Sequence, residues 1–199
     1  MKAPKEVRQE RTVVLIKPDG VKRGLVGECL KRFEQRGLKI IALKMVWPTP
    51  EHIEGHYPSA EEWFKSVGLR TKEFFESKKM KVSDHFGTEN EVEIGRQVKG
   101  WLSEHLTDGP VVAVIIEGMH AIATARKIVG HTYPIEALPG TIRGDFSVDT
   151  PSAANVEKRA IKNIVHASGN AQEARHEIEH WFAPEEIHDY PRSDEETMF

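Results

Sequence analysis

The stretch from Ala160 to Asn170 contains the side chain best suited to covalent chemistry, the imidazole of His166. A short β-branched run precedes this histidine and small residues follow it, which predicts a buried strand that ends beside open space. A neutral imidazole is a good nucleophile near pH 7 when a neighbour fixes its tautomer. Asn163 precedes His166 by three residues and Ser168 follows it by two. The alternative is a core histidine that hydrogen-bonds the backbone.

Lys17 is a second candidate, because it stands at the end of the apolar run from Thr12 to Ile16. A turn containing proline and glycine follows it immediately. A lysine fixed between a buried strand and a rigid turn suits the capture of an anion. The simpler alternative is a solvated loop lysine.

Hydrophobic periodicity predicts the elements that position these residues. Strands are predicted at 12–16, 38–47, 111–116 and in the run before His166, and helices from 26 to Gly37, from 49 or 51 to 57, around 60–79 and 91–106, before Gly130, and at 153–162 and 171–182. Residues 131–150 show no periodicity and predict a long loop. The resulting βαββαβ order is typical of an α+β, ferredoxin-like sandwich, with one antiparallel sheet and helices packed on one face.

Composition describes a globular chain of 199 residues with 39% hydrophobic and 30% charged residues. We expect a single domain over 1–199, with a helical insertion at about 58–108 and an acidic tail at 183–199. No apolar run approaches the ~20 residues that span a bilayer, no export signal is evident, and the lone Cys29 excludes an internal disulfide, so we expect a cytoplasmic protein without membrane contact. The net charge of −3 gives no basic field for nucleic acid.

The segment from His176 to His180 matches HExxH, the helix motif of zinc peptidases. On a helical projection Ala174 and Trp181 lie on the buried stripe, and both histidines lie on the far side, toward solvent. A zinc site of that class needs imidazoles that point into a cleft, with a third protein ligand. We therefore expect no protein-bound metal here, whereas Glu177, at the edge of the stripe, is placed to reach inward.

Taken together, these segments make the sequence similar to the nucleoside diphosphate kinases over residues 11–57 and 109–182. The matching motifs are Glu10-Arg11-Thr12 through Lys17-Pro18-Asp19-Gly20, Arg23-Gly24-Leu25-Val26-Gly27, Lys31-Arg32-Phe33-Glu34, Gly109-Pro110-Val111-Val112, Pro139 to Phe146, and Asn163-Ile164-Val165-His166-Ala167-Ser168. Several separate matches in the right order are poorly explained by chance.

The resemblance implies a ping-pong phosphoryl transfer in which His166 takes the γ-phosphate of a nucleoside triphosphate such as ATP and passes it to a different diphosphate. By the family pattern, Ser168 and Glu177 orient the histidine and Tyr57 lies beside it. Mg²⁺ would arrive with the nucleotide, because it prefers phosphates and water to a protein cage. The family pattern also implies a homo-oligomer, a hexamer or a tetramer built from dimers.

The same pattern implies how the nucleotide is held. Lys17, Arg126, Thr132 and Arg143 match the groups that grip the phosphate chain, and Asn163 matches the group at the ribose 3′-hydroxyl and the transferred phosphate. Such a set is chemically sensible, since phosphoryl transfer needs positioning and neutralisation of developing charge.

The chain departs from the family pattern in three places. The 58–108 region is much longer than the usual link and falls where the family has the aromatic that stacks on the base, for which Trp63 and Phe64 are candidates. Gly169 stands where an aspartate is usual, so an acidic contact is expected to be lost, and 147–162 is lengthened by a helix. Two other functions stay open, a nucleotide-binding regulatory protein without turnover and the HExxH zinc peptidase.

Overall fold

A four-stranded antiparallel sheet forms the centre of the computed structural model, which describes residues 9–194 and 197. The strands are β1 (Glu10–Ile16), β2 (Lys39–Val46), β3 (Val111–Gly118) and β4 (Val165–Ala167). Their order across the sheet is β2-β3-β1-β4, so that β1 and β3 are central. This topology confirms the ferredoxin-like α+β fold.

Helices connect and cover these strands. They are α1 (Pro18–Lys22), α2 (Val26–Gln35), α3 (Pro50–His56), α4 (Glu61–Ser77), α5 (Ser83–Phe86), α6 (Glu91–Thr107), α7 (Ala121–Val129), α8 (Ile142–Phe146), α9 (Pro151–Val156) and α10 (Ala171–Trp181). Short 3₁₀ turns occupy Pro134–Glu136 and Pro184–Glu186. Within the described residues, no helix is both long and apolar enough to cross a membrane.

The main core lies between the sheet and the crossover helices α2 and α7. Cys29 and Phe33 of α2 are four residues apart and therefore share one face of the helix, and both are fully buried in this core. Val14 and Ile16 of β1 reach the same core, because side chains two residues apart share one face of a strand. Apolar periodicity thus accounts for both elements.

The opposite face of the sheet is buried as well, which the sequence pattern did not indicate. Val13 and Leu15, which alternate with the core residues of β1, are fully buried. Leu15 is paired with His166 of β4, so the histidine stands on this second face. Helix α10 packs against β1 here and brings Glu177 within hydrogen-bonding distance of His166. The strand that carries the candidate nucleophile therefore lies between α7 on one face of the sheet and α10 on the other.

Residues 131–150 are more ordered than the predicted loop. Thr141 caps α8 by accepting a hydrogen bond from the Gly144 N–H at 3.1 Å, and Asp145 accepts one from the Gly140 N–H at 2.7 Å. A helix this short has no detectable apolar period, so capping and not periodicity is its sequence signal. The predicted helix at 153–162 also differs in the structure, where it begins at Pro151 after the Thr150 cap and ends at Val156.

The chain separates into two compact units. Of the described residues, the first contains 9–47, 110–148, 163–194 and 197, and includes the sheet. The second contains 48–109 and 149–162, so it takes in the predicted insertion together with α3 and α9. The prediction of one domain over 1–199 with an insertion stays a prediction.

Two glycines let helices α4 and α6 of the second unit approach closely. A Cβ placed on Gly68 would lie 2.0 Å from the Glu91 carbonyl oxygen, and one on Gly95 would lie 2.1 Å from the Phe64 carbonyl oxygen. Any larger residue would push the helices apart. Helices α4 and α6 agree with the helices predicted around 60–79 and 91–106, and their backbones approach closely at these two glycines.

The described part of the tail, 183–194, lies along the edge strand β2. The His188 N–H donates to the Ile41 carbonyl at 2.8 Å, at the point where the β2–β3 register is irregular. Arg192 donates to the Leu38 carbonyl at 3.1 Å, and Lys44 pairs with Glu186 at 2.7 Å. The tail thereby covers part of an edge that would otherwise be open to other strands.

The hydroxyl of Thr12, on β1, is fully buried and has no hydrogen-bond partner among the described residues. We expect Thr12→Val to raise the free energy of unfolding by about 1 kcal/mol, because an unsatisfied hydroxyl costs roughly that much and valine has the same shape. Urea unfolding measures the change. Thr150→Val is the matched control, since that hydroxyl caps α9 and its loss should destabilise the protein. A lower free energy of unfolding in Thr12→Val would contradict the conclusion that the Thr12 hydroxyl is unsatisfied.

Candidate active site

His166, Glu177 and Ser168 form a hydrogen-bonded chain. The His166 Nε2 and the Glu177 Oε1 are 2.8 Å apart, and the Ser168 hydroxyl donates to the Glu177 Oε2 at 2.6 Å. The Val13 N–H in turn donates to the Ser168 Oγ at 3.2 Å. Glu177 is only 4% exposed, and both its oxygens have partners, so its position is fixed. A carboxylate at Nε2 favours the tautomer protonated there, which leaves the ring lone pair on Nδ1.

The three-residue strand β4 sets the direction of the imidazole. Val165 and Ala167 point into the main core and are buried, so His166 between them must point to the other face. Its side chain keeps 25% of its surface exposed, enough for a reacting group to approach.

A strained turn precedes β4. Ile164 has a φ of +69°, a conformation that β-branched residues rarely adopt, and the Val165 N–H donates to the Asn163 carbonyl at 2.7 Å across it. This is a three-residue γ-turn of the strained kind. Such geometry persists only where surrounding contacts enforce it.

The segment after β1 supplies those contacts. The Lys17 N–H donates to the Ile164 carbonyl at 2.8 Å, and the Asp19 Oδ2 accepts from the Ile164 N–H at 2.9 Å. A Cβ on Gly20 would lie 2.9 Å from the Ile164 side chain, so only glycine fits there. The turn that the sequence linked to anion capture therefore also holds the backbone in front of the candidate nucleophile.

Lys17, Asn163 and Thr132 form a second connected group. The Lys17 ammonium donates to the Asn163 side-chain oxygen, and the Asn163 amide donates to the Thr132 carbonyl at 2.8 Å. Lys17 and Asn163 are both buried. The Lys17 ammonium is thus held at the side chain of Asn163, which precedes His166 by three residues.

Arg143 is buried and ties three backbone carbonyls together. Its guanidinium donates to Asn163 at 3.3 Å, Gly130 at 3.0 Å and Val165 at 2.7 Å. Burial, and then the positive charge of Arg126, lower the pKa of Arg143 to about 10, while Asp19 opposes the shift. Two like charges held near each other favour an anion as ligand.

The HExxH segment shows a different arrangement from a zinc site. Glu177, the central acid of the motif, is buried against His166 and Ser168, whereas His176 is exposed. Within residues 9–194 and 197, neither His176 nor His180 joins a group of three histidine, cysteine or carboxylate ligands close enough to share one ion. The projection placed both histidines toward solvent, which is correct for His176, whereas His180 is half-buried with its ring 6.0 Å from the Trp181 ring.

Tyr57 and Phe64 belong to the second unit and are described within it. The Tyr57 ring lies 4.6 Å from the His56 ring and 6.1 Å from the Trp63 ring, centre to centre. Phe64 is 8% exposed, with the Arg96 guanidinium 5.6 Å and the Lys99 ammonium 5.8 Å from its ring centre. So enclosed a ring presents little surface to a base, which favours the half-buried Trp63 of the two candidates.

Sequence reasoning missed two contributors. One is Asp19, which accepts a hydrogen bond from the Ile164 N–H, and its signal in the sequence is an acid in a Pro-Gly turn, a common backbone acceptor. Glu173 was also missed, and its carboxylate accepts from the Gly169 N–H at 2.8 Å and occupies the space that a side chain on Gly169 would need. A carboxylate from α10 therefore lies beside Gly169, whereas the loss of the aspartate contact itself stays a prediction.

Comparison with known proteins identifies the family. The family model described as nucleoside diphosphate kinase matches residues 10–100 and 62–187. A nucleoside diphosphate kinase of Pyrobaculum aerophilum is 47% identical over 178 residues, covering 89% of this chain and 97% of the relative, and one of Archaeoglobus fulgidus is 39% identical over 190 residues, covering 96% and 97%.

Solved structures agree. An NDP kinase from Pyrobaculum aerophilum has a TM-score of 0.88 at 45% identity and covers 91% of this chain and 100% of its own. A transition-state mimic of nucleoside-diphosphate kinase from Borrelia burgdorferi, with bound vanadate and ADP, has a TM-score of 0.75 at 34% identity and covers 94% and 95%. The chain belongs to the nucleoside diphosphate kinase family. Members of this family are nucleotide-binding phosphotransferases that need a divalent cation.

Proposed function

We propose that this chain transfers the γ-phosphate of ATP or another nucleoside triphosphate to a nucleoside diphosphate through a phosphohistidine on His166. The observation that carries the proposal is the Ser168–Glu177–His166 chain, with Nε2 and the carboxylate 2.8 Å apart. It supports Nδ1 as the nucleophile. It also favours turnover over a purely regulatory role, because simple nucleotide binding does not need an oriented imidazole.

The reaction has two balanced halves. First, the Nδ1 lone pair forms a bond to the γ-phosphorus while the bond to the β–γ bridging oxygen breaks, and the diphosphate leaves with that electron pair. Then an oxygen of the acceptor β-phosphate attacks the same phosphorus, and Nδ1 recovers its lone pair. Glu177 stabilises the positive charge that the ring gains on phosphorylation, and Ser168 holds that carboxylate in place.

Phosphate binding is assigned to the cations of the same unit. Lys17, Arg126 and Arg143 would neutralise the phosphate chain, with Thr132 beside them, and Asn163 would bind the ribose 3′-hydroxyl and the transferred group. Support comes from the burial of Lys17 and Arg143 and from the lowered pKa of Arg143. Tyr57 as a neighbour of the histidine, and Phe64 or Trp63 as the stacking aromatic, rest on the family resemblance alone.

The divalent cation is proposed to be Mg²⁺ carried by the nucleotide. In the part of the chain that the structure describes, no three carboxylates converge on a point that one ion could occupy. We therefore assign the ligands of the ion to phosphate oxygens and water, which is how Mg²⁺ binds in many phosphotransferases. When bound, the ion would neutralise charge on the phosphate chain, whereas positioning falls to the side chains.

We also propose a homo-oligomer, a hexamer or a tetramer built from dimers, acting in the cytoplasm. Support comes from large apolar side chains exposed in the first unit: Leu43 and Met45 on the edge strand, and Ile135 and Leu138 in the loop before α8. A second copy of the chain is the occupant that would cover them. Size-exclusion chromatography with light scattering should give a mass four or six times that of one chain.

The phosphohistidine is tested by labelling. The protein is incubated with γ-labelled ATP, freed of nucleotide and chased with unlabelled GDP. We expect protein-bound label that is acid-labile and alkali-stable, as a phosphoramidate is, and that moves quantitatively to GTP. Acid-stable label, or label that does not chase, would contradict the mechanism. Nucleotide binding without label would indicate the regulatory alternative instead.

A further inference from the structure

Lys99, on α6 of the second unit, has a buried ammonium group with three partners. It donates to the Ser59 Oγ at 2.7 Å and to the Glu54 Oε1 at 3.0 Å, and it lies 5.8 Å from the Phe64 ring centre. Only 8% of its side chain is exposed, whereas Glu54 is 69% exposed. A buried lysine is costly unless it is paired, so these contacts offset the cost of burying the ammonium group.

The two hydrogen-bonded partners lie on either side of Tyr57. Glu54 belongs to α3, which ends at His56, and Ser59 lies in the extended link that leads to α4. One ammonium group thus fixes the chain before and after the tyrosine. Because α6 is held against α4 by backbone contact at Gly95, the lysine is anchored on a rigid element.

We propose that Lys99 is a positioning residue that holds the 54–59 segment in the conformation that Tyr57 needs for phosphoryl transfer. This rests on the proposed function, through the role given to Tyr57. On this proposal Phe64 packs against the Lys99 ammonium and does not stack on the base. The insertion would contribute to the reaction through this contact.

The test is a double-mutant cycle of Lys99→Met and Tyr57→Phe. Methionine keeps an unbranched side chain one atom shorter than lysine and removes the charge and all three hydrogen-bond donors. We expect Lys99→Met to lower kcat/KM about tenfold, within the range that a displaced positioning group costs. In the Tyr57→Phe background the same change should have almost no further effect, because the lysine acts through the tyrosine hydroxyl. Additive losses in the double variant would overturn the proposal.

Lys72→Met is the matched control. Lys72 on α4 pairs with Glu91 on α6 at 2.9 Å, so its replacement removes an ion pair from the same helix pair without touching residues 54–59. We expect kcat/KM to stay unchanged. A loss equal to that of Lys99→Met would show that general loosening of the helices is responsible.

A spectroscopic readout separates positioning from stability. The chain has three tyrosines, and the ¹⁹F signal of fluorotyrosine at Tyr57 can be assigned by its absence in Tyr57→Phe. We expect that signal to shift or broaden in Lys99→Met and to stay in place in Lys72→Met. An unmoved signal would refute the inference. If Lys99→Met does not fold, Glu54→Ala combined with Ser59→Ala removes both acceptors of the Lys99 ammonium and must give the same signature.

The proposed function can fail separately from this inference. Labelling of His166 that does not chase to GTP would remove the function and the inference with it. Normal labelling and chase, with kcat/KM unaffected by Tyr57→Phe or with an additive cycle, would remove the Lys99 role alone.

Discussion

His166→Ala is expected to abolish both protein labelling and turnover, with kcat reduced by about 10⁴-fold or more, on the scale seen when a covalent nucleophile is removed. The reason is that no other imidazole in the described sheet unit is held by the Ser168–Glu177 pair. The remaining binding groups could still hold nucleotide. Steady-state transfer from ATP to GDP and labelling with γ-labelled ATP measure the loss.

His176→Ala is the matched control for this experiment. This histidine lies on the same helix as Glu177, one residue before it, and its side chain is exposed. Activity and labelling should both stay close to wild type, because neither the carboxylate nor the strand end is altered. Turnover that survives in His166→Ala, or that disappears in His176→Ala, would be incompatible with the proposed site and would return attention to the HExxH motif.

Arg143→Ala is expected to lower kcat/KM by roughly 10²-fold or more, as for the loss of one preorganised charged contact in the transition state. It should also lower the free energy of unfolding, because three buried carbonyls around the Ile164 turn lose their donor. Kinetics well below the unfolding temperature, together with thermal unfolding of the same preparation, measure the two effects.

Arg159→Ala separates these two effects. Arg159 pairs with Asp149 in the second unit, so its loss should reduce stability through a different segment while leaving kcat/KM near wild type. A parallel loss of activity in Arg159→Ala would mean that lower stability alone explains the kinetics. Unchanged kinetics in both Arg143→Ala and Arg126→Ala would place the phosphate site elsewhere.

Sequence patterns predicted the long elements well, because each carries its own apolar period. The strands around Val14 and Val114 and the helices around Phe33 and Ala125 are examples. The γ-turn at Ile164 could not be predicted in that way, since its hydrogen-bond partners lie more than a hundred residues earlier in the chain. Contacts of that kind are tertiary, and no local propensity encodes them.

In the candidate site, too, local sequence patterns predicted some features, whereas tertiary contacts set the others. Spacing alone indicated His166 as a candidate nucleophile and Glu177 as an inward-facing acid, and the structure places the two in contact. The substitution at Gly169 was visible, but the carboxylate that fills its place comes from the next helix. The aromatic ring of Phe64 made it a candidate for stacking on the base. The packing of α6 then shows that the Arg96 and Lys99 cations lie near that ring.

The strand order has a consequence for how the protein is made in the cell. Val14 of β1 is paired with Val114 on one side and Ala167 on the other. During synthesis β1 emerges first, yet both neighbours emerge much later, the second on the order of ten seconds afterwards at usual translation rates. Until β3 emerges both edges of β1 are unpaired, and from then until β4 emerges the edge that receives the His166 strand stays open. Nascent chains stalled before β4 should therefore attract chaperones and acquire no phosphoryl-transfer activity, however long they are held on the ribosome.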